Sequence, residues 1–184
     1  MTRVCEIAQL GNKILRQKAQ IVVDVHDDEV LRIIEAMQST LAATSGVGIA
    51  APQISELKQI IIMASRPTPR YPSAPLMEPT VMINPGFQVL SNIQEKDWEG
   101  CLSIPGIRAL VPRYQEILIH YTDLQGGLVE ARLSGFVARI FQHEVDHLEG
   151  KTYLDRVENN ADIFAESEFL KLINVIDARL VADR

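Results

Sequence analysis

The stretch SGFVARIFQHEVDHLEG, residues 134–150, constrains this chain more than any other. Phe136, Ile140, His143 and His147 fall at steps of four, three and four, the spacing of one face of an α-helix. That face begins with large apolar side chains, so it turns inward and takes both imidazoles with it. Buried imidazoles need partners, and a cation shared by residues one turn apart supplies one. Glu144, next to His143, is turned enough to miss such a cation while reaching a water at its open position.

The other segments say what surrounds this helix. DDEVLRIIEAMQSTLAAT (27–44) repeats Val30, Leu31, Ile34, Met37 and Leu41 at helical steps. Its acidic first turn suits the positive end of a helix dipole. GVGIAAPQ (46–53), with two glycines and small residues, reads as a loop whose backbone is closely approached. QIIIMA (59–64) reads as a buried strand, and residues 80–90 and 108–135 read as further β structure with a hairpin turn at DLQGG (123–127). Five prolines between Pro67 and Pro79 mark an exposed loop. Residues 161–184 have the pattern of an amphipathic C-terminal helix. The expected architecture is one α+β domain over 1–184, with antiparallel strands packed around a central metal-binding helix and a C-terminal helix.

Composition excludes several classes. A net charge of −6 disfavours non-specific binding to a phosphate backbone, although a local contact with RNA or a ribosome stays open. No apolar run is long enough to span a bilayer, and the first fifteen residues have no signal-type apolar core. Cys5 and Cys101 alone make no disulfide framework. An intracellular, cytoplasmic enzyme is the expectation.

Two histidines do not close a metal site. The longer protease pattern H-E-x-x-H-x-x-G-x-x-H matches through Gly150, but Tyr153 stands where its third histidine would be. Other donors are Glu166 or Glu168, as in a second kind of metalloprotease, and Cys5, His26, His120 and Cys101. Of these, Cys101 lies in EGCLS (99–103), where Gly100 lets backbone approach a ligand closely and Leu102 N–H is placed near the thiol.

GVGIAAPQ, EGCLS and QHEVDHLEG, in this order, resemble the three signature motifs of peptide deformylase. QLGNKILRQKA and RALVPRYQEILI extend the resemblance to roughly residues 7–155. It implies Cys101, His143 and His147 as metal ligands, Glu144 as proton carrier, and Gln53 and the Leu102 N–H as oxyanion donors. An extended peptide would pair beside Val47, Gly48 and Gly100, with its methionine near Val47, Arg108, Arg139, Ile140 and His143. It also implies Fe(II), replaceable by Zn, Ni or Co, and N-formylmethionyl nascent peptides as substrates. Glu99 is expected to pair with Arg113. A transient ribosome contact and a monomer or weak dimer complete the expectation. Residues 161–184 carry five acidic and three basic side chains, a balance that favours packing on the domain or a second copy over docking on ribosomal RNA.

Overall fold

The computed structural model describes residues 4–67 and 74–173. Helix α1, Asp28–Ala42, starts where Asp27 caps it by accepting the Glu29 N–H at 2.7 Å. Seven strands then precede the central helix: β1 Gly48–Ala50, β2 Ile60–Ser65, β3 Met77–Val89, β4 Gln94–Cys101, β5 Ile104–Tyr114, β6 Glu116–Thr122 and β7 Leu128–Ser134. Helix α2, Gly135–Leu148, follows, and β8, Ile163–Ala165, comes last. These strands pair antiparallel, in a five-stranded sheet ordered β1-β2-β3-β6-β7 and a three-stranded sheet ordered β4-β5-β8.

The unbroken apolar run of β2 has a physical reason. Alternate side chains serve two cores. Ile60 and Ile62 cluster with Ile33, Ile34 and Met37 of α1, while Ile61 and Met63 cluster with Ala138, Ile140 and Phe141 of α2. From the three-stranded sheet's side, α2 is tied by Gln142, which accepts from Tyr114 N (3.1 Å) and donates to Tyr114 O (2.9 Å). Residues 138–144 of α2 are all buried, a wider face than the four-residue stripe suggests, because protein covers the helix on both sides. The chain leaves the helix after Leu148 and turns at Gly150, whose φ of 72° provides the left-handed turn that lets Lys151 N–H reach Asp146 O at 2.9 Å.

Three segments depart from the sequence reading. The proline-rich loop ends earlier than expected, because β3 already starts at Met77, paired with Ser65, and takes in Pro79. GVGIAAPQ is not a loop: Gly48, Ile49 and Ala50 pair with Met63, Ile62 and Ile61, and Ala51–Ile54 forms a 3-10 turn. Its residues carry little β signal because the strand is three residues long and buried throughout, so it shows no alternation, and Gly48 stands where a Cβ would meet Glu144. Nor does the C-terminal segment start as a helix. Residues 163–165 first pair with the β5 edge, satisfying its backbone groups, and the helix begins at 166. Trp98 packs against Phe164 (ring centroids 5.0 Å) and Phe169 (4.8 Å), which seats the described part of this segment on β4. Residues 174–184 of the expected helix, and 68–73 of the proline-rich loop, lie outside the described residues. Among the described residues, no helix is long and apolar enough to cross a membrane.

Candidate active site

The third donor is set by an irregular hairpin. Glu99 pairs with Ala109, but two residues later Cys101 pairs with Ile104, so residues 105–108 of β5 stand against Gly100 alone. Such a bulge re-aims the neighbouring side chain. Here it turns the Cys101 thiol toward α2, with Sγ 3.2 Å from His147 Nε2. Among the described residues, Cys101, His143 and His147 bring their ligand atoms within 4.8 Å of one another. Glu166 is held by Arg108 at 2.5 Å and Glu168 by Lys171 at 2.7 Å, so the glutamate-ligand protease arrangement is not formed.

The donor set fits a divalent metal. Burial alone would push the Cys101 thiol up, but His147 and His143 outweigh it and hold it well below its ordinary value, as a thiolate. His143 Nδ1 bonds Glu99 Oε2 at 2.8 Å, leaving its Nε2 for a cation. Glu99 is held in turn by Arg113, which donates through Nε (2.8 Å) and Nη2 (3.0 Å), and by Arg139 Nη1 at 2.9 Å. Arg113 also donates to Asp146 at 2.6 Å, and Arg156 reaches the same carboxylate from the surface. The expected Glu99–Arg113 pair is thus bidentate, buried, and one link of a longer chain. Asp146, Arg156 and Ser103 were not singled out from sequence. Only Asp146 left a signal, lying three residues after His143 on the same helix face.

Glu144 is 4% exposed, and its Oε2 is buried without a hydrogen-bond partner. Burial raises its carboxyl and the imidazoles oppose this, with a net push up to about 7. Gln53, 2% exposed, is no surface amide. Its Oε1 accepts Ala50 N–H at 2.9 Å, which turns Nε2 toward Cys101 Sγ (3.4 Å) and Ser103 Oγ (3.2 Å). Apart from His147, every site residue inferred from the sequence lines one cavity of about 740 Å³, which Trp98, Glu166 and Leu170 also line. Arg139 lines it, but its guanidinium is engaged with Glu99, Val111 O (2.7 Å) and Glu95 O (2.6 Å).

Gly48 sets where Glu144 can stand, since a Cβ there would lie 2.3 Å from Glu144 Oε1. Gly48→Ala is therefore expected to displace the carboxyl and lower kcat about a hundredfold, with metal content unchanged. Steady-state kinetics beside metal analysis of the variant checks this; an unchanged kcat contradicts it.

A thiolate and two imidazoles around one point, with a buried carboxyl and an amide donor facing them, have the chemistry that a metal-dependent hydrolase requires. The family described as polypeptide deformylase matches residues 4–162. Peptide deformylase 2 of Nostoc sp. is 52% identical over 167 residues, covering 91% of this chain and 93% of that protein. Peptide deformylase 2 of Shewanella oneidensis is 48% identical over 150 residues, covering 82% of each chain. The class I type b peptide deformylase of Acinetobacter baumannii, solved with Met-Ala-Ser bound, superposes with a TM-score of 0.82 at 42% identity, over 85% of this chain and 100% of that one. This chain belongs to the polypeptide deformylase family, the metal-dependent hydrolases that remove the formyl group from N-formylmethionyl polypeptides.

Proposed function

We propose that the Cys101–His143–His147 centre is where this chain deformylates newly made polypeptides, with Glu144 as the proton carrier. The observation that carries the reading is Glu144 itself: a buried carboxyl, one oxygen unpartnered, poised near neutrality beside three metal donors. A divalent metal held there, Fe(II) in this proposal, supplies Lewis acidity toward the attacking water and the formyl oxygen. Glu144 takes the water's proton as its oxygen attacks the formyl carbon. It then returns that proton to the amine nitrogen as the C–N bond breaks, giving formate and a free N-terminus. Gln53 Nε2 and the Leu102 N–H donate to the oxyanion of the tetrahedral state. The peptide lies extended between Val47–Gly48 and Gly100, adding a strand by backbone pairing. Its methionine rests against Val47, Ile140, Arg108, the His143 ring and the stem of Arg139. The partners in this proposal are nascent peptides and, transiently, the ribosome, met in the cytoplasm by a monomer or weak dimer.

The choice of Fe(II) rests on the donors. Two neutral imidazoles and one thiolate leave a divalent ion with about one positive charge, so the metal's own readiness to change coordination number matters more. Anaerobically purified protein is expected to carry iron and to lose activity in air as the iron or Cys101 oxidises, whereas the zinc form stays stable and slower. Metal analysis with activity followed during exposure to air checks this. An air-stable zinc form as fast as the iron form contradicts it.

The test of the function is incubation of the metal-loaded protein with formyl-Met-Ala-Ser. Formate and Met-Ala-Ser are expected in equal amounts. Cleavage at the Met–Ala bond, or no formate from a loaded protein, overturns the reading.

A further inference from the structure

The cavity has a wall that the reaction does not use. It is built by the chain's last described segment: β8 pairs with Ile107, Arg108 and Ala109, and Glu166, Leu170 and Ile173 of the following helix line the cavity. Trp98, gripping Phe164 and Phe169, fixes that segment to β4.

Arg108 is the contact between this wall and the strand where the peptide is proposed to pair. It is 7% exposed. Its Nη2 donates to Glu166 Oε1 at 2.5 Å, and its Nε is buried without a hydrogen-bond partner. Its Nη1 lies 1.1 Å from where a Cβ on Gly100 would be, so the guanidinium fills the place of the side chain that Gly100 lacks. Side chains on neighbouring strands stand as cross-strand neighbours on one face. A peptide residue opposite Gly100 would therefore meet the Arg108 guanidinium. What keeps a long, rotamer-rich side chain in that pose is the carboxylate at its far end.

We propose that Glu166 is a positioning residue for substrate selection: it holds Arg108 across Gly100, and this ion pair forms the wall against which the residues following the formylmethionine are bound. The inference rests on the deformylase reading for its substrate and adds that polypeptides are distinguished from short formylmethionine derivatives. Because the pair touches the peptide and not the reacting atoms, its loss acts on binding shared by ground and transition states. It raises KM rather than lowering kcat.

The experiment compares formyl-Met-Ala-Ser with formyl-Met amide, which keeps the methionine contacts and has no residue after them, using wild type, Glu166→Gln and Glu166→Ala. In both variants the tripeptide-to-amide ratio of kcat/KM is expected to fall about tenfold through the tripeptide KM. Glu166→Asp is expected to recover part of it. The same comparison by calorimetry, with Met-Ala-Ser and Met amide as probes, separates this inference from the function. A difference in product binding that shrinks in Glu166→Gln supports the wall even if wild type releases no formate, a result that would instead sink the deformylase reading. If both folded variants keep the wild-type ratio, or lose tripeptide and amide equally, Glu166 is only a structural prop and the proposal is overturned.

Discussion

Glu144→Gln is expected to lower kcat/KM for formylmethionyl peptides roughly a thousandfold while the protein keeps its metal. The substitution preserves shape and removes only the ability to carry a proton; Glu144 is not among the three converging donors. The pH dependence gives a second readout with a definite sign. Only the carboxylate accepts the water's proton, so wild-type activity rises as pH climbs through the Glu144 pKa, pushed up to about 7 by burial against the opposing imidazoles. A bound cation favours the carboxylate and moves that limb to lower pH. The Gln variant lacks the limb altogether. A variant with near wild-type turnover, or with the same acidic limb, removes Glu144 from this role.

Arg113→Ala is expected to cost about 3–5 kcal/mol of stability, because it leaves two carboxylates buried with one of their partners gone. Arg113 bridges Glu99, which orients His143, to Asp146 within α2. Arg139 and Arg156 still reach these carboxylates, so the loss is severe rather than total. Burial raises the Glu99 and Asp146 carboxyls, but the cations facing them outweigh it and hold both below their ordinary values. For groups shifted in this direction, the stabilisation is present above the ordinary carboxylate range and is lost as pH falls through it toward the folded-state values. Wild-type protein should therefore weaken steadily below about pH 4.5, and the variant should show a shallower slope. Urea unfolding of metal-depleted wild type and variant, from pH 7 down to about pH 2.5, measures both effects. Equal stability at pH 7 contradicts the account.

The contrast between α2 and its surroundings shows what the sequence carries. Helical spacing alone put His143 and His147 on one interior face, and acidic residues ahead of Val30 marked the start of α1. The acidic 161–184 segment pointed away from RNA, and its described part packs on the domain through Phe169. β1 stayed hidden because a buried strand of Gly, Ile and Ala carries no alternation to detect. The bulge opposite Gly100 stayed hidden because nothing in EGCLSIPGIR requires Cys101 to pair with Ile104. The Arg113–Asp146–Arg156 chain and the Arg108–Glu166 pair join residues 10 to 58 positions apart, which periodicity does not link. The glycines of GVGIAAPQ signal a close backbone approach; that the group approaching Gly48 is the Glu144 carboxylate follows only from the fold.

The most direct measurement is a titration of metal-depleted protein with Fe(II) under anaerobic conditions, with formate release from formyl-Met-Ala-Ser followed at each addition. The account predicts that activity rises linearly and breaks near one equivalent per chain, and that Cys101→Ser shows neither the rise nor the break. Full formate release from the metal-free protein, or an unchanged titration in Cys101→Ser, contradicts it.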